Sequence, residues 1–311
     1  MSDFSVESLE KAANHAGMKF PPYVIEQLIA ALDSGKNVVL TGPPGTGKTT
    51  LAYLAAETAQ AAMLCTGFLP TTATTDWTTF ETIGGMQPTL DGLIFRPGMF
   101  IEAIEQGRWL VIDELNRANF DRAFGQLFTV LSGQAVVLPF RRSGKTIPVS
   151  IVPSGVEVPP DTDPIRVPSI WRILATMNVF DKNLLFEMSF ALMRRFAFIE
   201  VPAPDDDAYR ELLTGPGEIV KALLPLRKMK ELGPAVYLDA ARYAVTRSKR
   251  VSSDSRLLYE VFYGYFLPQF EGVDDEGALD LFESLRGIFD PAEQAEARRA
   301  IEDILGVELP A

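Results

Sequence analysis

Near the start of the chain, Gly42-Pro43-Pro44-Gly45-Thr46-Gly47-Lys48-Thr49 has the residue types and spacing needed to hold a row of phosphates. Glycines let backbone N–H groups turn inward at the mouth of a helix, where the dipole favours negative charge. In the pattern G-x-x-x-x-G-K-[ST] the lysine reaches the β- and γ-phosphates and the last hydroxyl ligates magnesium. Here those residues are Lys48 and Thr49, with Thr50 next in line. A second group, Asp113-Glu114, ends the apolar run Leu110-Val111-Ile112. Asp113 suits a magnesium shell, and Glu114 is the candidate base that polarises an attacking water. A Gly/Pro-rich turn and a solvated strand end would explain each group alone. Together they point to hydrolysis of a bound triphosphate.

These groups need particular elements around them. Residues 37–40 read as a buried strand running straight into the glycine-rich loop, and residues 50–61 as the helix that follows. Further strands are expected at 62–65, 109–112, 173–176 and 198–201, and helices at 6–16, 22–33, 99–106, 120–131 and 184–195. A hairpin-like stretch surrounds Asp91-Gly92, and a second hairpin has the polar tip Arg142-Ser143-Gly144-Lys145. Residues 153–168, rich in proline and aspartate, read as a loop. Strands alternating with helices predict an α/β fold, a mainly parallel sheet with helices on both faces. The run Pro202-Ala203-Pro204-Asp205-Asp206-Asp207 breaks the composition, and the patterns beyond it are helical. The expected division is 1–202, an α/β nucleotide-binding domain, and 203–311, a helical lid.

Composition narrows the class. The 311 residues are 47% apolar and carry a net charge of −12, so the surface as a whole does not attract nucleic acid. Cys65 and His15 each stand alone, which excludes a disulfide framework and a Cys/His zinc site. The first residues do not read as a signal peptide, and no apolar stretch is long enough to span a bilayer. The expectation is a cytoplasmic protein with no membrane partner.

Three segments carry a resemblance to a known family: Asp113-Glu114-Leu115-Asn116-Arg117-Ala118-Asn119, Ala175-Thr176-Met177-Asn178 and Ala191-Leu192-Met193-Arg194-Arg195-Phe196. With the phosphate loop, they make the chain resemble the AAA+ P-loop ATPases over about residues 37–201. It looks most like their McrB-like, dynein-related branch, with the MoxR-type ATPases nearby. The branch commonly reads Met-Asn-x-x-Asp-Arg-Ser where this chain has Met177-Asn178-Val179-Phe180-Asp181-Lys182-Asn183. About 36 residues precede the first strand, and no modified-DNA-reading domain is read among them.

The resemblance implies a sheet sandwiched by helices, a small helical lid, and ATP with Mg2+ as cofactors, GTP being the alternative. It gives Asn178 the place of a sensor that bonds the γ-phosphate or the water, against a plain turn asparagine. It places Arg194 and Arg195 at a subunit edge, facing a neighbour's nucleotide, with Arg117 a third candidate that sequence does not separate from them. Arg256, after the caps Ser252 to Ser255, is a candidate lid sensor or a solvated arginine. Met18, Phe20 and Tyr23 either approach the base or pack in the core.

The implied assembly is a homo-oligomeric ring of six subunits. It would serve a separate effector, such as a nuclease of a restriction or phage-defence system. The alternatives are a MoxR-like ring that remodels a protein client and a nucleotide-gated scaffold with little turnover. Two segments are candidates to face a ring axis, 74–85 with Trp77 and the basic tip Arg141-Arg142-Ser143-Gly144-Lys145. The tip could contact nucleic acid. It and the cluster Arg247-Ser248-Lys249-Arg250 could equally be solvated surface.

Overall fold

The computed structural model describes residues 3–90, 92–178, 194–251 and 253–310. Most of the helix expected at 184–195, and Val179 to Asn183 of the sensor segment, lie outside the described residues. By contacts the chain divides into two units. One is Met1–Gly42 with Gly47–Val201, and the other is Pro43–Thr46 with Pro202–Ala311.

The first unit is built on a five-stranded sheet whose paired strands all run parallel. Its strands are β1 (Asn37–Gly42), β2 (Phe68–Thr72), β5 (Trp109–Asp113), β9 (Ile173–Asn178) and β10 (Phe196–Glu200), in the order β10-β1-β9-β5-β2. Parallel strands covered on both faces read as continuous apolar runs, and Val38, Val39 and Leu40 are fully buried. Val38 and Leu40 join one core with Leu9 of α1 (Val6–His15), Leu28 of α2 (Pro22–Asp33) and Leu51 of α3 (Lys48–Ala61). Val39 points the other way, into a core with Phe100, Phe124, Leu110 and Ile112. This period-two division lets one strand anchor helices on both sides.

Three expectations are corrected. The second strand is not at 62–65 but at Phe68–Thr72, because Ala62 caps α3 and Met63 turns the chain at φ 62°. Pro70 sits inside that strand, which an edge position tolerates because one side of its backbone has no strand to bond. The helix expected at 120–131 is two short helices, Phe120–Phe124 and Leu127–Leu131, parted at Gly125 (φ 43°). The loop expected at 153–168 contains β8 (Asp163–Val167), parallel to β7 (Val149–Pro153), which also pairs antiparallel with β6 (Val136–Val137). Strands β3 (Gly84–Thr89) and β4 (Gly92–Pro97) form the hairpin around residue 91.

The second unit is helical from Asp206 to Leu305, with Tyr209, Tyr237, Phe262, Phe266 and Phe270 fully buried at its centre. Within it Pro43–Thr46 meets the start of helix Pro234–Arg247: the Ala235 N–H donates to Gly45 O at 3.4 Å. Among the described residues no helix is long and apolar enough to cross a membrane.

Candidate functional site

Strand β1 delivers the chain to Gly42 at φ 144°, where a Cβ would stand 2.2 Å from the Val201 carbonyl oxygen. Only glycine fits so close to backbone. Gly47 caps α3 at φ 84°, and a Cβ there would meet the Met18 Cε at 2.3 Å, with the Phe20 ring 3.4 Å away. Thus Met18 and Phe20 lie against the loop, while Tyr23 is exposed. Thr46 Oγ1 donates to Pro43 O at 3.1 Å, which closes the turn on itself.

Lys48 is the first residue of α3 and is buried, its Nζ donating to Gly42 O at 2.9 Å. Burial pushes its ammonium down from 10.5 to about 8, and the nearby carboxylates of Asp113 and Glu114 offset part of that fall. Thr49, the next residue, donates from Oγ1 to Asp113 Oδ1 at 2.7 Å. Those are two hard oxygen donors, the kind magnesium selects, and adjacent ligands in an octahedron of 2.0–2.1 Å bonds lie ~2.9 Å apart. The pair therefore fits Mg2+, with phosphate oxygens and waters for the remaining positions.

Asp113 closes β5, and Glu114 leaves the strand at φ 52°, ψ 46°, a left-handed conformation uncommon outside glycine. Its Oε2 lies 2.7 Å from Arg117 Nε, so Arg117 pairs within the same chain here. Residue Asn178 is half-buried at the end of β9, in register with Gly42. Sheet order and register thus bring Lys48, Thr49, Asp113, Glu114 and Asn178 to the carboxyl ends of β1, β5 and β9, where ligands bind in open α/β sheets.

The two arginines are elsewhere. Arg194 and Arg195 immediately precede β10, whose first residue Phe196 pairs with Asn37 at the opposite end of β1. With Lys36, Asn37 and Ser132 they line an open cleft. Arg195 Nε donates to Ser132 Oγ at 2.7 Å and its guanidinium lies 5.7 Å from the Phe128 ring centre, while Arg194 is exposed. In the helical unit, Arg256 is 2.8 Å from Glu296 and 3.5 Å from Glu260. Glu260 is held down to about 2, first by its hydrogen bond from Arg247.

Trp77 is buried in the sheet core, and Arg142 and Lys145 of the basic tip form ion pairs with Glu105 and Asp163. One residue at the site escaped the sequence reading. Thr176 is almost wholly buried and bonds both Asp113 and the Glu114 backbone. The available signal was a lone hydroxyl in the otherwise apolar run Ile173-Leu174-Ala175-Thr176-Met177.

Known proteins share parts of this sequence and fold. The Escherichia coli K12 protein named "Type IV methyl-directed restriction enzyme EcoKMcrB subunit" is 28% identical over 256 residues, which are 77% of this chain and 51% of that protein. Uncharacterized proteins of Staphylococcus aureus, from strain USA300 among others, are 28% identical over 184 residues, 59% of this chain and 62% of theirs. The chain therefore spans only about half to three fifths of these relatives. A solved structure, NtrX from Brucella abortus in complex with ADP, is similar over 92% of this chain and 66% of its own, at 15% identity and TM-score 0.46. The family profile of the AAA domain, dynein-related subfamily, matches residues 37–196, just over half of the 311 residues, and the chain belongs to that family.

Proposed function

We propose that the protein is a Mg2+-dependent ATPase that works as a homo-oligomeric ring, of six subunits, and drives a separately encoded effector. The observation that carries the hydrolytic part is the meeting of Thr49 and Asp113 oxygens at 2.7 Å, beside buried Lys48 and with Glu114 one residue on. Magnesium, when bound, shields the charge of the phosphates. The backbone of residues 42–47 and Lys48 bind the β- and γ-phosphates. Glu114 takes a proton from a water whose oxygen bonds to the γ-phosphorus, as the bond to the bridging β–γ oxygen breaks and the diphosphate departs with that electron pair. Asn178 orients that water or the γ-phosphate.

The position of the arginines supports the assembly. Strand β1 rises ~3.3 Å per residue, so its six residues separate Asn37 from Gly42 by ~17 Å. An arginine that starts beside Asn37 does not reach its own Lys48. Arg194 and Arg195 are therefore assigned to a neighbour's site, where such a cation contributes ~10³–10⁵ in rate. Head-to-tail contacts generate a ring where the rotation closes, and the proposed assembly is of that closed kind.

The name of the restriction enzyme subunit supports an effector of a restriction system, such as a nuclease. GTP is the competing nucleotide. Hydrolysis of ATP and GTP, measured with Mg2+ by phosphate release, decides the base. Absence of turnover with either would defeat the proposal. For the ring, Arg194→Ala/Arg195→Ala subunits mixed with Glu114→Gln subunits should regain activity at interfaces that pair an intact base with intact arginines. No recovery in rings shown to be mixed would sink the trans assignment.

A further inference from the structure

We propose that Thr176 is a positioning residue for hydrolysis, its one hydroxyl setting both the cation-binding carboxylate of Asp113 and the backbone from which Glu114 projects. The inference rests on the reading of Asp113-Glu114 as the hydrolytic pair.

Strands β5 and β9 run parallel with Ile112 opposite Ala175, which brings the next residues, Asp113 and Thr176, side by side. Thr176 is 1% exposed. Its Oγ1 donates to Asp113 Oδ1 at 2.5 Å and accepts from the Glu114 N–H at 3.1 Å. A hydroxyl has one proton and two lone pairs, so a single oxygen serves both bonds at once. Valine has the same shape and can make neither.

The second bond matters because of the backbone it holds. Glu114 is left-handed, a conformation that persists in a non-glycine residue only when its surroundings enforce it. Here its amide is tied to Thr176, and its carbonyl accepts from the Arg117 N–H at 2.9 Å. Releasing the amide frees the backbone to relax toward the extended region, and the carboxylate of Glu114 turns away with it. The first bond keeps Asp113 aimed. Its Oδ1 accepts hydrogen bonds from both Thr49 and Thr176, so Thr176 holds the carboxylate in place when Thr49 turns its oxygen to a cation.

The test compares wild type, Thr176→Val, Thr176→Ser and, as reference, Glu114→Gln. Steady-state phosphate release gives kcat, and a fluorescent ATP analogue gives nucleotide affinity. Loss of hydrogen bonds to a charged group costs about 10- to 100-fold. Thr176→Val should lower kcat by that factor with affinity changed less than about threefold, and Thr176→Ser, which keeps the hydroxyl, should restore it. In Thr176→Val the Glu114 amide should also exchange its hydrogen faster, read by NMR. If Thr176→Val does not fold, Thr176→Ala removes the same hydroxyl with less crowding. Wild-type kcat in Thr176→Val or Thr176→Ala, beside an inactive Glu114→Gln, overturns the role of Thr176 alone. An equal loss of kcat in Thr176→Ser, or a loss of affinity matching the loss of kcat, reduces Thr176 to packing and overturns it too. Wild-type turnover in Glu114→Gln would overturn the underlying reading and this inference together.

Discussion

With Lys48 on the phosphates, as proposed, its buried ammonium should make triphosphate binding depend on pH in a defined direction. In the free protein it titrates at about 8, because burial removes water from the charge. Bound phosphates favour the charged form, so the complex holds the proton to higher pH. Below pH 8 both states are protonated and pH has little effect. Above 8 the free protein loses the proton and the complex retains it, so binding takes up a proton. At pH 9 about one molecule in ten still carries the charge, and affinity should fall about tenfold from its pH 7 value, ~1.4 kcal/mol. The assay is a fluorescence titration with a non-hydrolysable ATP analogue at pH 7, 8 and 9, repeated on Lys48→Met. Calorimetry in buffers of different ionisation enthalpy should show proton uptake at pH 9. An affinity that is flat over this range, or that falls equally in Lys48→Met, would refute the assignment of Lys48 to the phosphates.

Glu114→Gln keeps the shape of the base without its proton affinity. It should bind nucleotide as wild type does and turn over ~10²-fold more slowly or worse, read by single-turnover phosphate release. Gly42→Ala puts a Cβ 2.2 Å from Val201 O, a backbone atom with little room to move, and should unfold at a lower temperature in calorimetry by several degrees at least, since ~1 kcal/mol shifts Tm by a few degrees. Glu260, held at about 2 against a usual 4.5, adds stability above pH 4.5 that is lost as pH falls toward 2. Glu260→Gln should therefore be less stable than wild type at pH 7 in urea titrations, with the gap closing between pH 4.5 and 2.

The phosphate loop and the carboxylate pair were legible because each is a run of neighbours whose chemistry is local. Burial on both faces also marked β1, β5 and β9 as continuous apolar runs. Strand β2 carries Pro70, a residue that argues against a strand unless the strand lies at a sheet edge, and sequence does not show that position. Strand β8 was hidden in a segment whose prolines and aspartates signal a loop, although Ile165 packs into the core. Arg142 and Lys145 looked like a free basic tip because Glu105 and Asp163, which neutralise them, are distant in sequence. Thr176 is silent in the sequence for the same reason: its partners lie on another strand, and only the register of β5 against β9 joins them.

The contact of Met18 and Phe20 with Gly47 separates the motif from the cradle. Trimming the chain to begin at Asn37 would preserve every letter of the glycine-lysine-threonine pattern. It would also strip the wall behind Gly47 and leave the faces of Val38 and Leu40 that meet Leu9 and Leu28 open to water. A transplant of the loop with its strand and helix alone inherits the spelling without the enclosure. Shortened or fused versions of this protein should therefore keep α1 and α2, although neither helix contributes a residue to the phosphate motif.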